Sequence, residues 1–330
     1  MKGQDVLKEK ILQMLEEADG FISGQEISEA LGVSRTAVWK AVRRLTEDGC
    51  SIEAVRNRGY RLKGQTDLLS EETIRSFLTT EWAGRTLVIE DTLESTNQTL
   101  KRMAEEGAGH GTLLLAREQT AGKGRRGRTW SCPKGEGIAL SLLLRPQIEP
   151  MHASMLTLVM ALAIRRAIEQ TAGLSCMIKW PNDLVADGRK LCGILTEMSA
   201  DPDCVNYIVT GAGINVLNPD FPQEFRQRAT SIREQTGRTV SRSELTARVM
   251  NCFEEVYPVF LKTQDLSGLM QEYNACLINR GREVRIEGAQ QRRGIARGIS
   301  RKGELLVEID GSVETVLAGE VSVRGIYGYV

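Results

Sequence analysis

Apolar residues recur at helical spacing from the start of the chain, where Val6, Leu7, Ile11, Leu12 and Leu15 share one stripe. Ser23-Gly24-Gln25-Glu26 then sets a hydroxyl three residues ahead of a glutamate, a capping-box pattern. It opens a short helix with Ile27 and Leu31 inward, which Gly32 breaks. Ser34 can cap a further helix whose apolar stripe is Val38, Val42 and Leu45 and which Gly49 stops. Two short helices around a glycine turn predict a helix-turn-helix. The pattern next changes to Ser51-Ile52-Glu53-Ala54-Val55 and Tyr60-Arg61-Leu62 on either side of Arg56-Asn57-Arg58-Gly59. This reads as a hairpin with a basic tip, the wing of a winged helix.

Gly64-Gln65-Thr66-Asp67 is the expected linker. Beyond it, strand-like runs (Thr86 to Asp91, Thr112 to Arg117, Ile138 to Arg145, Leu191 to Met198, Val205 to Ile214) alternate with helical stretches near 95–106, 151–170 and 243–262. That mixture predicts an α+β or mixed α/β domain. From Gly281 the runs shorten to Val284 to Glu287, Gly294 to Ile299, Leu305 to Ile309 and Val313 to Val316, separated by glycine turns. These predict a small all-β barrel-like module. The expected organisation is therefore multidomain α+β, with a winged helix-turn-helix over 1–64, a central mixed α/β domain over 65–277 and the β module over 278–330.

Composition adds limits. A chain of 330 residues with 43 basic and 43 acidic side chains has ordinary globular character and a net charge that names no partner. No charged-then-apolar leader and no apolar run of about 18 residues is evident, so no membrane role and a cytoplasmic address are expected. Seven cysteines without a CxxC pair suit reduced, mostly buried thiols. With only His110 and His152, a histidine triad or zinc site is disfavoured. Charge is uneven at the start, however. Residues 1–33 hold 3 basic and 7 acidic side chains, and residues 34–63 hold 8 basic and 3 acidic ones. Ser34, Arg35, Thr36, Lys40, Arg43 and Arg44 on the second helix, with Arg56 and Arg58 on the wing, are the candidate DNA contacts, since a helix fits the major groove while cations neutralise phosphates.

Candidate small-molecule chemistry lies in the central domain. Gly122 to Arg128 packs three glycines and four cations into seven residues. Gly122, Gly124 and Gly127 spell GxGxxG, but no helix opens there, and Gly124 stands where a Walker loop needs Ser or Thr. What remains is a flexible cationic loop whose glycines admit close backbone approach to an anion and whose arginines supply forked donors. A nucleic-acid patch has a similar composition, and the interleaved glycines favour a small ligand. Lys179-Trp180-Pro181-Asn182-Asp183, a turn at Asp187-Gly188, and Arg189-Lys190-Leu191-Cys192-Gly193-Ile194-Leu195 crowd cations and polar groups around a proline corner. Gly211-Ala212-Gly213-Ile214-Asn215 offers small residues against which a flat ligand can lie.

Ser95-Thr96-Asn97, GKGRRGRTW from Gly122 to Trp130, KWPND from Lys179 to Asp183, the Arg189 to Leu195 run and Gly211 to Asn215 together closely resemble the biotin protein ligase family. The leading winged helix resembles the bifunctional branch that also represses biotin genes. The resemblance implies a class II synthetase-like central domain and an SH3-like C-terminal barrel ending near Gly319-Glu320-Val321-Ser322. It implies biotin, ATP and Mg²⁺ as ligands. Its partners would be a biotin carboxyl carrier domain, operator DNA and, when adenylate is bound, a second copy of the chain. It assigns Lys190 and Arg125 to catalysis. Biotin falls to Ser95, Thr96, Asn97, Gln119, Gly122, Lys123, Arg125, Lys190, Gly193, Leu195, Gly211, Gly213 and Ile214. ATP falls to Arg125, Arg128, Trp130 (stacked on adenine), Lys179, Asn182, Asp183, Lys190 and Asn215. No residue-by-residue match covers Asn218 to Glu234, where a second ligand-ordered loop is the expectation. A ligand-sensing regulator without catalysis and a lipoate-type ligase are the rival readings.

Overall fold

A computed structural model of the full chain describes residues 2–18, 20–47, 50, 52–62, 67, 69–218, 221–287, 292–318 and 322–325. Gly49, Ser51, most of the expected linker, Pro219 and Gly319 to Val321 lie outside the described residues. The chain divides into two compact units, Met1–Leu69 and Ser70–Val330.

The first unit contains α1 (Lys2–Glu17), α2 (Gly24–Leu31), α3 (Arg35–Glu47) and the hairpin β1 (Ile52–Val55) and β2 (Gly59–Leu62). The capping box forms in full: Ser23 Oγ accepts from Glu26 N at 3.1 Å, and Ser23 N donates to Glu26 Oε2 at 2.7 Å. Gly32 ends α2 in the left-handed conformation at φ 65°. Ile11, Leu15, Ile27, Val38, Val42 and Leu45 meet in one core. Each such burial contributes about 1.5–3 kcal/mol, which holds three short helices that would not persist alone. The wing is tied down by an Ile22–Tyr60 bridge. Gly59 is required there, because a Cβ at that position would lie 2.1 Å from Ile22 O.

The second unit begins with α4 (Glu71–Phe77), β3 (Leu87–Leu93), α5 (Thr96–Glu105), β4 (Leu113–Lys123), β5 (Thr129–Cys132) and β6 (Gly137–Leu144). It continues with α6 (Leu156–Ala172), β7 (Met177–Lys179), β8 (Asp183–Ala186), β9 (Arg189–Ala200) and β10 (Val205–Asn215), then α7 (Ile232–Thr236), α8 (Arg242–Thr263) and α9 (Met270–Ala275). The sheet order is β3-β4-β6-β10-β9-β8-β7, with β5 paired to β4. The β3–β4 pair is parallel and the others antiparallel. β6 is buried along its whole length, as expected of a strand covered on both faces. On one face α5 packs with Leu100 and Ala104 onto Leu114, Leu143 and Val209. α6 lies on the other, where Thr157 bonds Thr196 at 2.8 Å, and it packs against α8. The segment Pro150–Ala172 is long and apolar enough to span a membrane by composition, but 67% of its apolar window is buried inside the protein, as a core helix.

The C-terminal strands β11 (Glu283–Glu287), β12 (Arg292–Ile299), β13 (Leu305–Ile309), β14 (Ser312–Val316) and β15 (Ser322–Gly325) form the antiparallel SH3-like module in the order β14-β13-β12-β11-β15. It belongs to the larger unit. The Trp180 indole donates to Gly303 O at 2.9 Å, and Trp180 N donates to Asn279 Oδ1 at 2.9 Å. All seven cysteines are free thiols, Cys204 exposed and the other six buried.

One expectation changes here. The supposed flexible cationic loop is largely regular: β4 runs on through Lys123, Arg125–Gly127 makes one tight 3-10 turn, and β5 returns antiparallel with Gly122 opposite Trp130. β5 is only four residues long, too short to show a period of two, so it escaped sequence reading.

Candidate active site

Two cross-strand rows on the α5 face form the floor of a recess. Leu114, Ser141, Gly211 and Leu195 are register partners in one row, and Ala116, Ala139, Gly213, Gly193 and Asp183 in the next. Apart from Leu114, Leu195 and Asp183, these are small residues, which lets other side chains lie close against the sheet beside the start of α5. A Cβ at Gly211 would stand 2.0 Å from Asn97 Oδ1, and one at Gly213 2.3 Å from the Trp130 ring. Both glycines are fixed by what lies against them.

The N-terminus of α5 supplies a buried polar cluster at the first row. Ser95 is its N-cap, and Ser95, Thr96, Asn97 and Gln119 are each at most 7% exposed. Thr96 N and Thr96 Oγ1 both donate to Gln119 Oε1, at 2.9 and 3.1 Å. Asn97 Nδ2 donates to Leu195 O at 3.1 Å and Glu197 Oε2 at 2.8 Å. Ser141 Oγ lies 2.6 Å from Asn97 Oδ1 and 2.8 Å from Thr96 Oγ1. Ser141 was missed in the sequence, although a lone polar residue within Ile138 to Leu144 was a signal. With its oxygen and amide both engaged by the protein, Asn97 acts as a pin across α5, β6 and β9. Gln119 turns its Nε2 toward Gly122, where a Cβ would come within 2.1 Å.

Lys190 stands at the second row. The Asp187-Gly188 turn, with φ 47° and 70°, joins β8 to β9 by the two-residue hairpin expected of that dipeptide. Just beyond it the register slips, Leu184 opposing Cys192 and Val185 opposing Lys190, so Leu191 is the extra residue of a bulge. Leu191 and Cys192 are thereby both buried, and Lys190 shares a face with Gly193, where a Cβ would be 2.9 Å from its Nζ. The ammonium pairs with Asp183 Oδ1 at 2.7 Å and sits 5.6 Å from the Trp130 ring centroid. Trp130 Nε1 is buried without a hydrogen-bond partner among the described residues. The backbone of Lys190 is held by the segment that had no match: Lys190 N donates to Arg228 O at 2.7 Å and Thr230 N to Lys190 O at 2.9 Å. Asn215 Nδ2 ties β10 to the same place through Thr230 O at 3.0 Å.

Arg125 reaches from the hairpin to Asn182 Oδ1 at 3.2 Å and to the Ala318 carbonyl of the C-terminal module. Burial lowers its pKa from the ordinary arginine value, with Asp183 opposing and Arg126 and Arg128 adding to the shift. Arginine stays charged under any such shift. Asn182 completes the link by donating to Ile194 O at 3.0 Å. Lys179 is buried opposite Asp183 in register, whereas Lys123 and Arg128 are exposed at the hairpin tip. Burial pushes the Cys132 thiol up to about 11 and the Cys192 thiol well above its usual range, so neither is a thiolate nucleophile near neutral pH.

In the first unit Ser34 Oγ accepts from Ala37 N at 3.2 Å at the start of α3, and Arg35, Thr36, Lys40, Arg43 and Arg44 are all exposed on that helix. Arg56 and Arg58 are exposed at the tip of the wing, with the Arg58 guanidinium 4.4 Å from the Phe21 ring centroid.

The chain thus combines a lysine set against a row of small residues with a winged helix on a separate unit. Residues 89–215 match the biotin/lipoate A/B protein ligase family, 8–61 a helix-turn-helix domain and 281–324 the biotin protein ligase C-terminal domain. The chain is 38% identical over 324 residues to the bifunctional ligase/repressor BirA of Bacillus subtilis, covering 96% of this chain and 99% of that one. It is 30% identical to the BirA of Escherichia coli, with 96% of each covered. The Aquifex aeolicus biotin protein ligase solved with biotin and ATP superposes with a TM-score of 0.65 at 29% identity, over 73% of this chain and 99% of that one. The chain therefore belongs to the family of bifunctional biotin protein ligases and repressors.

Proposed function

We propose that this protein activates biotin with ATP to biotinyl-5′-adenylate, transfers biotin to a lysine of a carboxyl carrier domain, and represses biotin genes when the adenylate is bound. The observation that carries the reading is Lys190, whose ammonium is fixed by Asp183 at the edge of the recess. A biotin carboxylate oxygen attacks the α-phosphorus, the new O–P bond forms, and the bond to the departing pyrophosphate breaks. Two anions approach only if charge between them is neutralised. Lys190 Nζ is the point charge for that task, with the Arg125 guanidinium holding phosphate oxygens. In the second step the ε-amine of the carrier lysine attacks the carbonyl, AMP leaves, and the amine loses its proton.

Thr96, Gln119 and Ser95 suit the ureido ring, Leu195, Gly211 and Gly213 its apolar surroundings, and the Gly122, Lys123 and Gly193 backbone its remaining polar edges, whereas Ile214, next to Gly213 on β10, faces the other side of the sheet. Asn97 and Ser141 hold that cluster in place. Trp130 lies over Gly213 here, so stacking on adenine requires the ring to swing off the recess. Arg128 at the hairpin tip, with Lys179, Asn182 and Asn215, is assigned to the nucleotide side. Magnesium typically keeps one or two carboxylates plus phosphates. Asp183 is such a carboxylate, and among the described residues no group of three or more His, Cys, Asp or Glu could hold a metal. That donor set fits an ion carried in on the triphosphate, whose charge it would shield. The hairpin and the segment around Arg228 are the elements we assign to closing over the adenylate, promoting a homodimer that presents two winged helices to a palindromic operator in the cytoplasm.

The direct test mixes purified protein with biotin, MgATP and a biotin carboxyl carrier domain and follows the carrier's mass. A gain of one biotin that requires ATP is expected. Biotin binding without mass gain would favour the sensor-only reading, and equal use of lipoate would favour the lipoate-type ligase. A separate prediction concerns the first unit. Arg43→Ala or Arg58→Ala should weaken operator binding and flatten its salt dependence by about one counterion each, leaving ligation unchanged. If ligation fell instead, the division of labour between the units would be wrong.

A further inference from the structure

The outer face of α3 carries one residue that its charges do not explain. Trp39 is 51% exposed. It sits on the ridge Arg35, Trp39, Arg43, beside the ridge Thr36, Lys40, Arg44, and all six residues are exposed. The inner face of the helix is complete without it, since Val38, Ala41, Val42 and Leu45 fill the core. The Arg43 guanidinium lies 5.8 Å from its ring centroid, so the indole is bracketed by cations along its own ridge.

A large aromatic set among cations, on a helix whose core side is already filled, is placed to be covered by the surface those cations bind. A protein partner would have to supply carboxylates for the surrounding cations and an apolar slot between them. A duplex supplies phosphates to the cations, and its major groove offers the indole both contacts it can use. Those are the thymine methyl group for the ring and purine N7, guanine O6 or thymine O4 acceptors for the single N–H donor.

We propose that Trp39 is a base-reading residue of the operator complex, making its apolar contact with a thymine methyl. The inference rests on the reading of the first unit as a DNA-binding winged helix. It adds a source of sequence preference that phosphate-neutralising cations cannot supply.

The probe is a duplex selected from a random-sequence pool by the full-length protein in the presence of biotin and MgATP. It is compared with copies in which single thymines are replaced by deoxyuridine, which deletes only the methyl group. The wild-type chain should lose roughly five- to tenfold in affinity at one thymine per half-site, at the low end for loss of a base contact. Trp39→Ala should bind the parent duplex about tenfold more weakly. It should no longer distinguish thymine from deoxyuridine at that position, and it should keep the wild-type salt slope because no phosphate contact is lost. Trp39→Phe should restore part of the discrimination. Unchanged thermal unfolding and ligation would show that the variants fold. Wild-type affinity and discrimination in Trp39→Ala would overturn the inference and leave the DNA-binding reading intact. Failure of the wild-type chain to select any sequence would overturn both.

Discussion

Lys190→Ala should slow biotinyl-adenylate formation at least ~100-fold, about 3 kcal/mol of lost transition-state stabilisation. The expectation follows from position. Lys190 is the ammonium over the second row of the recess, fixed by Asp183 at 2.7 Å, and a Cβ on the neighbouring Gly193 would collide with it. Alanine removes the charge that lets two anions approach while leaving the floor, the α5 cluster and the backbone bonds to Arg228 and Thr230 in place. Biotin affinity in the absence of ATP should fall much less than the rate, because the apolar and ureido contacts lie elsewhere. Lys190→Arg should recover only part of the activity, since a forked guanidinium cannot occupy the site of a compact ammonium without displacing Asp183. Single-turnover adenylate formation, read by pyrophosphate release, is the measurement. A near-normal rate would remove Lys190 from the mechanism, and a parallel collapse of biotin binding would recast it as a binding residue.

What could be read from the sequence was whatever depends on near neighbours in the chain. The capping box at Ser23, the left-handed Gly32 and the Asp187-Gly188 hairpin are decided within four or five residues, and each forms as its local chemistry dictates. The fold brings the runs that hold Lys190, Asn182 and Gln119 together on one sheet. What was not legible depends on register between distant strands. Ser141 becomes part of the site only because β6 lies between β4 and β10, which sets it opposite both Leu114 and Gly211. The bulge at Leu191 decides which face Lys190 takes, and a one-residue slip reverses every side chain beyond it. The attachment of Arg228 and Thr230 to Lys190 crosses some 40 residues of intervening fold that no local pattern encodes. The short strands β5 and β7 were invisible for a different reason: three or four residues do not make a period.

The joint between the catalytic sheet and the C-terminal module should be the most sensitive point in stability. Trp180 is 1% exposed, and its indole donates to Gly303 O while its backbone N–H donates to Asn279 Oδ1. The adjoining strand adds a parallel bridge from Ile178 to Leu277, so the side chain lies where the two parts of the larger unit are sewn together. Trp180→Ala should cost about 3–5 kcal/mol, from the cavity and from the acceptor at Gly303 left without its donor. For a unit of this size that corresponds to a fall in Tm of roughly 10 °C. Trp180→Phe keeps most of the volume and loses the donor, so about 1–2 kcal/mol is expected of it. The consequence should extend to catalysis, because Asn182, two residues on, holds Arg125, whose other partner is the Ala318 carbonyl of the same C-terminal module. Below its unfolding temperature Trp180→Ala should therefore form adenylate more slowly than Trp180→Phe, although neither change touches Lys190. Thermal unfolding of the full chain, paired with single-turnover rates, separates the two effects. A Tm within two or three degrees of wild type for the alanine variant would mean that the module is held by its other contacts and that Trp180 is not the joint.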